Sequence, residues 1–182
     1  MRVSSARLFN DVFFNNYTMR RIPLLAQLLI SLTGVLWLIS MFSPQMMPDD
    51  RLTSVTGAQF DLKDWRGKPV LVTFWASDCP SCLQEIPILI DLYRQYHARG
   101  LVMIAIAQYY DPPSHVMAMT EAQRLPYPVV LDLTAHHAEV FGGISLIPST
   151  LLISPDGVVV KRTTGLLNVP ETQRLIEQFL QG

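Results

Sequence analysis

The chain has 182 residues and only two cysteines. Cys79 and Cys82 stand three positions apart in the run Phe74-Trp75-Ala76-Ser77-Asp78-Cys79-Pro80-Ser81-Cys82. A scaffold held by disulfides needs more cysteines spread along the chain, and a four-ligand zinc site shows a second Cys or His pair at a matching spacing. Neither follows here, so the pair is first a candidate for redox chemistry. Such chemistry needs one thiol that ionises readily and a second that closes the disulfide. A thiolate at 79 would attack a foreign disulfide, and an inward thiol at 82 would resolve the mixed disulfide. Asp78 works against the first requirement, because a carboxylate beside Cys79 repels the thiolate and raises the thiol pKa. The other soft-metal candidates are His136 and His137, which read as surface residues of a short helix. A copper site built from them would want a wider cysteine spacing.

The elements around the pair explain why these thiols should be reactive. Val70 to Trp75 is a near-continuous apolar, β-branched run, as expected of a strand buried on both faces. From Pro80 to Arg99, Leu83, Ile86, Leu89, Ile90, Tyr93 and Tyr96 recur at three- and four-residue steps, which predicts a helix ended by Gly100. Pro80 suits its first turn, and Pro87 is expected to kink it. Cys79 therefore falls at the helix mouth, where unpaired backbone N–H groups and the helix dipole favour a thiolate. Cys82 lies one turn further in.

Beyond Gly100, Leu101 to Ala107 reads as another buried strand, Asp111 to Arg124 as a helix and Pro128 to Leu131 as a strand. Ala135 to Phe141 is a short helix stopped by Gly142-Gly143. Ser149–Ile153 and Val158–Arg162 are strands joined by a Ser154-Pro155-Asp156-Gly157 turn, and an amphipathic helix follows Val169-Pro170. The order β-α-β-α-β-α-β-β-α implies one α/β domain with crossover helices and a final antiparallel pair.

Phe74-Trp75-Ala76 leading to Cys79-Pro80-Ser81-Cys82, with Ile147-Pro148-Ser149-Thr150 leading into a strand, resembles the thioredoxin superfamily, and residues 55 to 182 follow its order. The resemblance implies a thioredoxin-like fold, a central mixed β-sheet flanked by helices. It also implies a cis bond before Pro148, lying against the redox pair, where Ile147, Pro148, Pro80 and Asp78 help shape a groove for extended substrates. The subtype resembles the TlpA/ResA-type membrane-anchored thioredoxins. The support is the anchor described below, an insertion from Tyr109 to Leu125, and Glu85 three residues after the second cysteine. Cytoplasmic thioredoxins carry a buried Asp on the strand before the motif, where this chain has Thr73. Glu85 is then either the missing acid/base that takes the proton of Cys82 or an ordinary solvated helix carboxylate. The family usually places Trp before the first cysteine, so Asp78 bears on redox poise and partner choice. The resemblance implies a protein-disulfide reductase of the cytochrome c maturation kind, with no cofactor beyond the Cys79–Cys82 disulfide, protein thiol and disulfide substrates, and a membrane electron donor. A peroxiredoxin-like peroxidase and a Sco-like copper chaperone are alternatives on the same fold.

Composition adds a place of work. Residues 22–42 carry no charge, and as a helix they would rise ~31 Å, enough to span a bilayer core. Hydroxyls within the run are tolerable because they bond back to the backbone. Four arginines against one aspartate precede it, and the remaining ten Lys/Arg face fourteen Asp/Glu. The positive flank predicts residues 1–21 as a cytoplasmic tail, 22–42 as a single-pass anchor in a bacterial inner membrane, 43–58 as a linker and 59–182 as a periplasmic domain. The slightly acidic outer part has no basic stripe, which argues against nucleic-acid binding.

Overall fold

The computed structural model describes residues 24–41 and 44–181. The expected tail over 1–21 lies outside them, as do residues 22, 23 and 42 of the expected anchor. Contacts divide the chain into two units, Met1–Ser43 and Pro44–Gly182.

In the first unit, α1 (Leu24–Met41) is a continuous helix of 18 residues. Ser31 and Thr33 donate their hydroxyls to the carbonyls of Leu28 and Ile30, at 2.8 and 3.0 Å, as the back-bonding argument requires. The large apolar side chains from Leu28 to Trp37 are exposed. Among the described residues, no helix is long and apolar enough to cross a membrane.

The second unit is built on β3 (Val70–Trp75), whose six residues are all buried. Parallel strand β4 (Val102–Ala107) lies on one side of it and antiparallel β6 (Ser149–Ile153) on the other. β5 (Val129–Leu131) extends the sheet beyond β4, and β7 (Val159–Thr164) beyond β6, giving the order β5-β4-β3-β6-β7. Alternate residues of β3 divide between two cores. Leu71 and Trp75 join the cluster under α2 (Pro80–Tyr96) and α5 (Val169–Gln181), with Cys82, Leu89 and Ile176. Val70, Val72 and Phe74 join the opposite cluster with Leu52, Leu62 and Phe141 beside α4 (His136–Val140). Both faces are covered, which is why the strand reads as unbroken apolar sequence. α3 (Pro113–Ala122) crosses from β4 to β5 and buries Val116. α2 runs through Pro87 without interruption, with that proline on the exposed side.

The structure corrects one boundary. Residues 43–58 were expected to be a linker, yet from Pro44 onward they belong to the folded unit. Gln45 and Met47 make backbone hydrogen bonds to Val159 and Gly157, and Met46 bridges Val158 at the start of β7. Further on, β1 (Arg51–Thr53) pairs with β2 (Gln59–Asp61), and the Val55 N–H donates to the Val129 carbonyl on β5. The segment thus closes backbone groups at both edges of the sheet. Edge strands need such covers, and backbone bonding makes few demands on composition, so a Pro-, Asp- and Ser-rich stretch can supply it. Met47 and Leu52 are the residues it commits to the core.

Candidate active site

Cys79 is the N-cap of α2: its backbone is extended (φ −90°, ψ 110°) and Pro80 occupies the first turn. The Cys82 N–H points at Cys79 Sγ, 3.2 Å away, so an otherwise orphaned helix donor faces the sulfur. The Ser81 hydroxyl lies 3.4 Å from the same atom. Cys79 and Cys82 form a disulfide, with their Cα atoms 5.2 Å apart. Cys79 is half-buried and flanked by exposed Asp78 and Pro80, whereas Cys82 is 2% exposed. One sulfur faces outward and the other inward.

The Ile147–Pro148 bond is cis. Ile147 and Cys79 both pack, half-buried, against the cluster that holds Cys82. The Pro148 carbonyl accepts the Gly165 N–H at 2.8 Å, and the Ser149 hydroxyl donates to the Leu146 carbonyl at 2.7 Å, so the turn is held from both sides. Beside this turn, a groove of about 390 Å³ is lined by Gln45, Gly142, Ile144, Leu146, Arg162 and Thr164, and neither Cys79 nor Pro148 is among its walls. Because β3, β4 and β5 are parallel and β6 runs against them, the loops after β3, β4 and β5 and before β6 share one end of the sheet. Exposed Tyr109, Tyr110, Leu133 and Leu146 all lie in those loops.

Beneath the disulfide is a carboxyl that the solvated-helix reading does not describe. Glu85 is 1% exposed. A small cavity of about 10 Å³ is lined by Glu85, Cys82, Thr73, Trp75 and Tyr127, near the lower limit for holding one water. Burial pushes the Glu85 carboxyl above the usual carboxylate range, and the Leu167 N–H, donating to Oε1 at 2.8 Å, only partly offsets this. Burial, reinforced by the Glu85 charge, pushes the Tyr127 phenol well up, so it remains a donor. The Trp75 indole N–H is buried without a partner among the described residues. Thr73, at the place of the buried acid of cytoplasmic thioredoxins, receives the Thr150 hydroxyl from β6 at 3.0 Å.

A residue missed in the sequence holds the approach to Cys79. Asp111 is 5% exposed, and its carboxylate accepts both the backbone N–H of Ser77, at 2.5 Å, and the Ser77 hydroxyl, at 2.7 Å. This ties the loop after β4 to the turn two residues before the first cysteine. The only sequence signal was an Asp opening Asp111-Pro112-Pro113, which reads equally as a helix start. Asp111→Ala removes two hydrogen bonds to a charged acceptor and should lower unfolding free energy by about 2–3 kcal/mol, measured by urea denaturation of the oxidised form. An unchanged midpoint would show that water replaces the carboxylate freely.

His136 and His137 do not approach the cysteines as a copper-chaperone reading requires. Their partner is Asp50, and the cluster of potential ligands they form contains no sulfur.

The Redoxin family model matches residues 43–176. Thiol-disulfide oxidoreductase ResA of Halalkalibacterium halodurans is 30% identical over 130 residues, covering 71% of this chain and 70% of that protein. ResA of Bacillus subtilis is 28% identical over 133 residues, covering 73% and 71%. A thiol:disulfide interchange protein of the thioredoxin family from Chlorobium tepidum superposes with a TM-score of 0.69 at 26% identity, over 76% of this chain and 97% of that one. The matched segment holds both cysteines, Glu85 and the cis-proline, and its left edge falls where the second folded unit begins. With the thioredoxin-like sheet and the Cys79–Cys82 pair at its helix mouth, these matches place the chain in the Redoxin family, as a thiol-disulfide oxidoreductase.

Proposed function

We propose that the chain is a membrane-tethered reductase of disulfides in exported proteins, working on the outer face of a bacterial inner membrane. The observation that carries the reading is the asymmetry of the pair: an accessible sulfur at a helix N-cap joined to a buried one above a buried carboxyl. In the reduced enzyme the Cys79 thiolate attacks one sulfur of a substrate disulfide. The substrate S–S bond breaks, a mixed disulfide forms, and one substrate thiolate departs. Cys82 then gives its proton to the Glu85 carboxylate and attacks Cys79 Sγ. The second substrate sulfur leaves, takes up a proton, and the enzyme holds the Cys79–Cys82 disulfide. Two electrons from a thiol-reducing membrane donor restore the dithiol, and no other cofactor is needed. Pro148 and Ile147 present the backbone of an extended substrate, with Pro80 and Asp78 on the opposite lip. The exposed aromatic and Leu side chains around that end of the sheet suit a polypeptide substrate.

Tethering is supported by the uncharged run over 22–42, its positive flank and the exposed apolar surface of α1. Two measurements test the reading. Equilibration with dithiol buffers should give a potential more reducing than about −150 mV; a more oxidising value would make the protein a disulfide donor. Alkaline carbonate washing of membranes from expressing cells should leave the chain in the pellet, and its release would remove the anchor.

A further inference from the structure

His136 and His137 take no part in dithiol chemistry, yet they are not idle surface groups. They are the first two residues of α4, and both rings meet the carboxylate of Asp50, which precedes β1. His137 Nδ1 lies 2.8 Å from Asp50 Oδ2, and His136 Nε2 lies 3.4 Å from Asp50 Oδ1. The three donor atoms all fall within 4.8 Å of one another. Bonds of about 2.0–2.1 Å from a tetrahedral ion would place neighbouring ligand atoms about 3.3 Å apart, a separation that the two His–Asp distances of 2.8 and 3.4 Å bracket.

The donors are also held in place. Both oxygens of buried Asp132 accept backbone N–H groups at the start of α4, from His137 at 3.1 Å and from Ala138 at 2.7 Å. The side chains of His137 and Asp50 are each only 15% exposed, while His136 is 56% exposed. One side of the cluster is therefore walled by protein and the other opens to water, which can fill the remaining coordination positions. An ion pair with Asp50 needs a single imidazole. The second ring, directed at the other oxygen of the same carboxylate, makes a three-point donor set.

We propose that Asp50, His136 and His137 bind a transition-metal dication of the zinc class. Two imidazole nitrogens and one carboxylate oxygen, with no thiolate, suit Zn²⁺, Cu²⁺ or Ni²⁺; they do not suit Cu(I), which prefers sulfur, or Mg²⁺ and Ca²⁺, which prefer oxygen cages. A bound ion would fasten the segment leading into β1 to α4, cross-linking two elements that are 86 residues apart in the chain. The site is independent of the disulfide-exchange reading.

The test uses the full chain in its disulfide form, so that neither cysteine competes as a ligand, titrated calorimetrically with zinc chloride. One saturable equivalent with micromolar or tighter affinity is expected, with a rise in Tm that grows with free zinc. His136→Ala, whose side chain is mostly exposed and so leaves the fold alone, should weaken binding at least about tenfold, as should His137→Ala and Asp50→Asn. Disulfide-exchange rates of all three zinc-free variants should match the parent. Absence of saturable binding would overturn the proposal. So would binding unaffected by His136→Ala and His137→Ala, which would assign the ion to His97 or His115, or equal binding of magnesium chloride.

Discussion

Cys79→Ser should reduce disulfide reduction to the background rate of buffer thiol, while Cys82→Ser should still attack substrate and accumulate it as a mixed disulfide. The difference follows from exposure and position. A serine hydroxyl at the N-cap still accepts the Cys82 N–H, so the helix keeps its start and loses only the nucleophile. With Cys82 replaced, the outer sulfur keeps its place at the helix mouth, but no second sulfur sits behind it to release the substrate. Non-reducing electrophoresis against an extended peptide containing a disulfide would display the adduct, and a turbidity assay of insulin reduction would give the rates. Residual catalysis by Cys79→Ser above that background would mean that Cys82 leaves its buried position to attack, and the division of labour between the sulfurs would fail. Equal trapping by both variants would have the same meaning. Identification of proteins captured by Cys82→Ser in cell membranes would then name the substrate.

Glu85→Gln should slow turnover by about 10²-fold at neutral pH, the usual scale for losing a positioned proton acceptor, while Cys79 alkylates at the parent rate. The loss should appear in resolution of the mixed disulfide, because the carboxylate shares its cavity with Cys82 and not with the exposed sulfur. The same substitution should raise stability near pH 7. Burial lifts the folded-state pKa of Glu85 above that of the unfolded chain. A group lifted in this way contributes its full stability below the unfolded pKa, about 4.3, and loses it as pH rises through the folded value. At neutral pH the buried carboxyl is therefore a cost that a neutral amide avoids, and the amide oxygen can still accept the Leu167 N–H. Melting curves from pH 4 to 8 should show Gln above Glu at the neutral end and the gap closing towards acid. A parent that is more stable than the variant at pH 7 would mean that the carboxylate is satisfied by partners outweighing its burial.

The reactive pair was legible because its chemistry depends on neighbours close in sequence. A buried strand ending at Trp75, a turn, and a helix starting at Pro80 place Cys79 on the first orphaned N–H groups. One turn on, Cys82 falls on the stripe it shares with Ile86 and Leu89, the face that packs against the sheet. The cis-proline was reachable only by resemblance, since its local sequence fits any strand beginning with proline.

Glu85 marks the boundary between the two kinds of knowledge. Helical spacing places it one turn beyond Cys82 on the same face. Its burial needs Trp75 from the sheet, Tyr127 from before β5 and the backbone of Leu167 from before α5. Asp111 meets Ser77 across 34 residues, Asp50 meets His137 across 87, and the Gln45–Met47 segment finds the start of β7. Periodicity along a strand or helix reports which side of that element is apolar, because side-chain direction repeats with the backbone. The identity of the polar atom across from a residue depends on how separate elements pack. The amino-acid order alone thus determined a dithiol at a helix mouth in an α/β domain. Tertiary packing decided which carboxylate is dry, which one clamps the active-site turn, and which one meets the histidines.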